Sequence, residues 1–297
     1  MEVSELMEDL RERLRPFRTR LFPKQVLFEI TDDLLLVQPV VNGQPGKNLI
    51  NVPLPEFTIK QGKPIQVEAL GDLIGDVLLR DGLMEACVMA SLPQEAVEWR
   101  VIHWASSKVP ENGLEALRRE NPQLGLPYSL EEAAMDLRPL EGEPGKQLMA
   151  SARREVVEGW IQVFHQAGTT LDRLACPQAC RLAALQGQLE EIRAGSLVVL
   201  LSSKAGGDQL MAIRDGAPLF EWPLPNQGSA LVEEVRRCVA FLRREFGRGG
   251  ELRVLLDGEL EVRGELEATL GVGAQQLDCS PYGSLVLQGL AIPERVG

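Results

Sequence analysis

Residues 197–225 read LVVLLSSKAGGDQLMAIRDGAPLFEWPLP, and the class of the fold follows from this stretch. LVVLLSS is a continuous apolar run of strand length, the pattern of a strand buried on both faces. KAGGD is a loop, and QLMAIRDG (209–216) and PLFEWPLP (218–225) are two more strands. The Arg-Asp-Gly between them is a hairpin turn. Residues 229–246 then carry helical spacing, ELRVLLDG (251–258) is another strand, 259–271 a helix, and AQQLDCS (274–280) a strand. A hairpin leading into alternating helices and strands is an α/β lobe.

Working back towards the N-terminus, the same order occurs once already. QVLFEI (25–30) and LLLVQPVV (34–41) flank a break at Thr31, Asp32 and Asp33 and read as a hairpin. An extended stretch, NLINVPLP (48–55), precedes a helix over 67–83 with Leu70, Leu73, Ile74, Val77 and Leu78 on one face. Strands EACVMASL (85–92) and VEWRVIHW (97–104) follow, then a short helix over 111–121 ended by Pro122, then a polar, proline-containing stretch to about 146. QLMASA (147–152) is a strand, 154–168 a helix closed by Gly168, TTLDRLAC (169–176) a strand, and a helix starts at Pro177.

Composition narrows the function. A chain of 297 residues that is 44% hydrophobic can fill one large or two medium cores without crosslinks. No run approaches the roughly 20 apolar residues of a bilayer span, and the acidic opening MEVSELMEDL is unlike a secretory signal, so a cytoplasmic location is expected. Five scattered cysteines and two histidines do not supply a zinc site; reduced, buried thiols are expected. A net charge of −12 argues against nucleic acid as a partner. One basic run departs from this: a helix over 4–15, stopped by Pro16, leads into Arg11, Arg13, Arg15, Arg18 and Arg20. That run is either the solvated end of a helix packed on its own domain or a contact with anionic lipid or an acidic partner.

The segments ACVMASLPQEAVEWRVIHW (86–104), LPYSLEEAAMDLRPL (126–140), 147–185, 197–225, LRVLLDGELEVRGELEATLGV (252–272) and YGSLVLQGLAI (282–292) resemble, in order and spacing, the PilM family of type IV pilus assembly proteins. These are relatives of the division protein FtsA in the actin-like ATPase superfamily. The resemblance implies a two-lobed actin-like (ribonuclease H-like) α/β fold with a small α+β subdomain inserted in the first lobe. Residues 24–92 and 147–194 would form the first lobe, 93–146 the insertion and 195–297 the second lobe, behind a basic amphipathic segment at 1–23.

The family's nucleotide site rests on three elements, and this sequence departs from each. In FEITDDLLLV (28–37) Glu29 stands for the hairpin's metal-orienting Asp, but Thr31 replaces its Gly, and Asp32 and Asp33 add charge where phosphate would sit. In the second hairpin the acid position falls near Leu201 or Ser202; Lys204, Gly206 and Gly207 would make an anion loop or a plain turn. Under the adenosine, Gly258 and Gly264 are kept, while Asp257 and Glu259 stand where small residues are usual; Asp257 would touch a ribose or be an exposed acid at a strand end. The resemblance, so degraded, implies a pseudo-ATPase with no catalytic residue, for which ATP and magnesium are cofactors only if those hairpins still form a site.

Function would then lie in surfaces. In the family, a cleft beside the inserted subdomain receives the cytoplasmic N-terminal peptide of the membrane protein PilN. Here Trp99, Val101 and His103 alternate with Arg100, Ile102 and Trp104, so the two tryptophans are candidate anchors or part of the subdomain's own core. A PilN-like partner, pilus motor ATPases and the inner-membrane periphery are the implied surroundings. The competing expectations are an active actin-like ATPase and the cytoplasmic domain of a type II secretion L-type protein, a family whose membrane span after that domain has no counterpart before Gly297.

Overall fold

The computed structural model describes residues 24–104, 109–120, 124–140, 145–204, 207–225, 228–246 and 250–293. The arginine run at 11–20 lies outside them. β1 (Lys24–Ile30) is apolar along most of its length, with Val26, Leu27 and Phe28 fully buried, and it forms the centre of a six-stranded sheet. β2 (Leu34–Val41) folds back antiparallel on it, and β3 (Gln44–Pro45) and β4 (Ile50–Pro53) pair beyond β2. On the other side β7 (Cys87–Ser91) and then β11 (Leu171–Ala175) run parallel. The small hairpin β5 (Ile59–Lys60) and β6 (Lys63–Pro64) stands apart.

The second sheet repeats this plan. β12 (Leu197–Lys204) is central; β13 (Gly207–Arg214) and β14 (Ala217–Pro223) follow antiparallel on one side, while β15 (Leu252–Asp257) and β16 (Ala274–Gln276) lie parallel on the other. Asp215 and Gly216 take positive φ values of 52° and 76° in the expected β13–β14 turn. The two sheet orders, β4-β2-β1-β7-β11 and β14-β13-β12-β15-β16, are the same path.

Each sheet is covered outside by its own helices. α1 (Val67–Arg80) and α3 (Arg154–Gln166) bury Leu70, Ile74, Trp160 and Phe164 on the first; Phe28 and Phe164 meet edge to face, 5.2 Å between centroids. α5 (Ser229–Glu245) and α6 (Arg263–Leu270) cover the second with Leu231, Val235, Leu242 and Leu266. Inside, the last helix of each lobe packs on the other lobe's sheet. Leu182 and Leu185 of α4 (Pro177–Glu190) share a buried cluster with Val198, Leu200 and Met211, and Leu287 and Leu290 of α7 (Leu285–Ala291) share one with Leu27 and Val40. The helices touch at Gly289, where a Cβ would lie 1.8 Å from the Cys180 carbonyl oxygen.

A third sheet is antiparallel, ordered β8-β10-β9: β8 (Val97–His103), β10 (Lys146–Arg153) and β9 (Ala133–Pro139). α2 (Gly113–Glu120) covers one face of it. Two sequence expectations change here. The strand at 147–152 is not the re-entry into the first lobe but the middle of this small sheet, so the boundary set at 146 falls at the start of its central strand. The stretch read as irregular up to 146 contains β9, an edge strand of mixed exposure whose alternation is blurred because only one of its neighbours is a strand.

Candidate functional site

The turns of the two central hairpins sit at the C-terminal ends of β1 and β12, beside the ends of their parallel neighbours β7 and β15. Pairing places Glu29 opposite Ser91 and Ser202 opposite Asp257, so Glu29 and Ser202 hold matching positions in the two lobes. Glu29 is buried and accepts a hydrogen bond from Ser284 Oγ, the N-cap of α7. Its carboxylate is thereby held against the helix rather than turned towards an open site. The β1–β2 turn is tight: Thr31 Oγ1 donates to the Leu34 carbonyl at 2.9 Å, and Asp32 accepts from the Gly62 amide at 3.1 Å. β12 and β13 stay paired as far as Lys204 and Gly207; Gly206 lies outside the described residues.

Asp257 is not an exposed strand-end acid. It is 1% exposed and receives Ser202 Oγ at 3.5 Å and Cys279 Sγ at 3.4 Å, because the chain after β16 folds over the end of β15. Gly258 has φ +107°, and a Cβ there would lie 2.3 Å from the Ser203 carbonyl oxygen. The space ringed by Ser202, Ser203, Asp208, Leu256, Gly258 and Leu260 does not admit a water-sized sphere. Among the described residues no cluster of three His, Cys, Asp or Glu could hold a metal ion.

Between the hairpins lies a cation that the chain itself supplies. Arg181, from the second turn of α4, pairs with Glu221 of β14 at 3.2 Å, their side chains 8% and 10% exposed. The same guanidinium reaches Gln94 after β7 at 2.9 Å and Gln209 of β13 at 3.3 Å. Glu221 also accepts from Gln178 Nε2 and from Trp99 Nε1, both at 2.8 Å. One node therefore ties the first lobe, the second lobe and the small sheet together. Beside it, desolvation pushes the Glu95 carboxyl above its ordinary value, with Asp32 and Asp33 pushing the same way.

The tryptophans of β8 diverge. Trp104 points into the core under α2 with Leu117 and Met149, 9% exposed, and its Nε1 donates to Gln147 at 2.9 Å. That corrects its reading as a peptide anchor: consecutive strand positions face opposite sides, and its side is covered by α2. Trp99 and Val101 face the interlobe cluster and are half-buried there, and His103 ends the strand exposed. An open concave surface lies on the other flank of the sheet, along an edge of β9 that pairs with no strand among the described residues. Two adjoining hollows of about 440 Å3 and about 550 Å3 share Arg138, Pro139, Leu148 and Ala179. The first is walled by small residues (Ala134, Ala150, Ala152, Ala175); the second runs between α4 and the Asp215–Gly216 turn.

No family model and no curated protein matches the sequence. Solved structures do match in shape. A chain of the "PilM-PilN type IV pilus biogenesis complex" is 21% identical, with 90% of this chain and 97% of that one covered and a TM-score of 0.71. A Bacteroides thetaiotaomicron protein "with actin-like ATPase fold and unknown function" is 9% identical, with 91% and 96% covered and a TM-score of 0.55. This chain has the actin-like ATPase fold. The cytoplasmic domain of EpsL, an inner-membrane component of the Vibrio cholerae type II secretion system, shares the actin-like architecture at 10% identity, with 90% and 92% covered and a TM-score of 0.50. In the actin-like frame, the cleft lies between the two lobes. The residues that fill it, Arg181 and Glu221, were not singled out. Each is a charge set among apolar neighbours, Cys180 and Leu182 or Phe220 and Trp222, and no local pattern shows that it is buried against a partner.

Proposed function

We propose that the chain is a non-catalytic adaptor of type IV pilus assembly, holding a short extended peptide from a PilN-like inner-membrane protein in the groove beside β9. The observation that carries this is the groove itself, a two-compartment hollow of mixed polar and apolar lining alongside a strand edge that has no strand partner among the described residues. An added peptide strand would bond to that edge through its backbone and drop alternate side chains into the hollows. Trp99 and Val101 pack in the interlobe cluster on the sheet face that the groove shares, Trp104 belongs to the subdomain core, and the motor ATPases and the membrane periphery are further contacts of the same assembly. The likeness in shape to a PilM-PilN complex supports the choice of partner.

Mg-ATP does not fit the cleft on this reading. Phosphate would meet Asp32 and Asp33, Glu29 is committed to Ser284, and the place of a bridging ligand is taken by Arg181 and Glu221. The test is calorimetric titration with the cytoplasmic N-terminal peptide of the organism's PilN-like protein. The unaltered chain is expected to bind it, and Ala134→Trp, which fills the groove from the edge strand, to weaken binding at least about tenfold. Equal affinity for both chains would reject the groove as the site.

A further inference from the structure

We infer that the buried Arg181–Glu221 pair sets the width of the β9 groove, so that peptide binding and closure of the two lobes are coupled through α4. The inference rests on the peptide-holding reading and concerns how that same site is regulated. α4 works on two flanks. Gln178 and Arg181, three residues apart, point into the cleft node, while Ala179, Ala183 and Gln186 line the groove. Both flanks belong to one helix of 14 residues. The groove's opposite wall is built from two bodies: β9 and β10 of the small sheet, and the Asp215–Gly216 turn of the second lobe.

The node joins those bodies. Glu221 of the second lobe takes hydrogen bonds from Trp99 of the small sheet and from Gln178 of α4, and forms the ion pair with Arg181. Breaking it removes the polar tie from the second lobe to α4 and β8, leaving the lobes joined by the apolar cluster of Leu182, Leu185, Val198 and Leu200, across which they can slide, and by the α4–α7 contact at Gly289. The turn at 215–216 then moves relative to α4 and β9, and the second hollow loses its shape. In an actin-like protein a bridging ligand can hold the lobes together; here a side-chain pair does so without one. The pair is also imperfectly satisfied, since Arg181 Nε is buried with no hydrogen-bond partner. Such a clamp is open to loss: replacing both charges by apolar groups of similar size is tolerated far better than removing one.

The coupling has a defined signature. A site that is competent only in the closed form shows an apparent dissociation constant divided by the closed fraction, so reducing that fraction to about one tenth weakens binding about tenfold. The variants are Glu221→Gln and the paired Arg181→Met with Glu221→Met, which leaves no unpaired ion. Peptide affinity is read by calorimetry with the PilN-like peptide, and lobe opening by small-angle scattering with and without it. Both variants are expected to bind about tenfold more weakly, to scatter as a wider molecule when free, and to return to the unaltered profile when the peptide saturates them. Wild-type affinity in the paired variant, with Ala134→Trp still binding at least about tenfold more weakly, overturns the coupling and leaves the groove reading standing. Wild-type affinity in Ala134→Trp as well overturns the groove and the coupling together. Should Glu221→Gln fail to fold, the paired variant decides between these results by itself.

Discussion

At the scale of single residues, the crossing of α4 and α7 makes a sharp demand. Gly289 of α7 faces the Cys180 carbonyl, and a Cβ 1.8 Å away forces α4 and α7 apart. Alanine would gain about 1 kcal/mol of helix propensity, but separating packed helices costs about 1–3 kcal/mol and often more at a backbone contact. Gly289→Ala is therefore expected to lower the melting temperature by several degrees, measured by thermal denaturation, and an unchanged value would mean the crossing is looser than drawn. Its neighbour Cys180 is fully buried, and burial pushes its thiol up to about 12. Alkylation at pH 8 should spare Cys180 in the native chain and label it in denaturant, as read by mass spectrometry of peptides. Residue identity in the sequence carried half of this story. Glu29 and Asp257 were visible as acids at strand ends, but whether they faced solvent depended on α7 and on the chain after β16, which no local pattern encodes.

At the scale of elements, strands buried on both faces were the easiest to read. β12 opens with five consecutive apolar residues and β1 carries Val26, Leu27 and Phe28 in a row, all fully buried, as a central strand requires. The small sheet was harder. β9 is an edge strand in which only Ala133 is fully buried, and β10 reads like any lobe strand until its two antiparallel partners are known. Helix α7, seven residues at the end of the described chain, was not separated from the loop before it, because Ser284 caps it only in company with Glu29. The two faces of β8 lead to a differential prediction. Trp104→Ala empties the core under α2 and strands Gln147, at a cost of about 3–5 kcal/mol. Trp99→Phe keeps most of the packed area and removes one hydrogen bond to Glu221, at a cost of about 1–2 kcal/mol. Urea denaturation should rank them in that order; the reverse ranking would mean the small sheet is held mainly by its contact with the second lobe.

At the scale of the whole molecule, two copies of one sheet plan close on each other, and the question is what holds them closed. Elsewhere in such an architecture a nucleotide can bridge the hairpins, a task requiring a carboxylate free to orient a metal, amides free to meet phosphate and space for both. Here Glu29 is committed to Ser284, Gly258 is pressed against Ser203, and the turn of the first hairpin carries Asp32 and Asp33. Two added negative charges about 4 Å from a phosphate oppose it by roughly 4 kcal/mol each at a near-surface dielectric. Arg181, a cation in the cleft that could offset them, is already neutralised by Glu221 in a buried pair, and freeing it leaves a buried carboxylate unpaired at a cost of about 3–5 kcal/mol. These terms add in one direction. A ligand present at a hundred times its dissociation constant would stabilise the fold by about 2.7 kcal/mol, a shift in melting temperature of several degrees that is easily seen. Millimolar Mg-ATP is therefore expected to leave the melting temperature unchanged and to release no heat in calorimetry, whereas Arg181→Ala, which removes the cation and isolates Glu221, should lower it well beyond the range of surface substitutions. A rise in melting temperature with Mg-ATP would show that the hairpins open more readily than their hydrogen bonds suggest, and that closure is shared between the ion pair and a nucleotide.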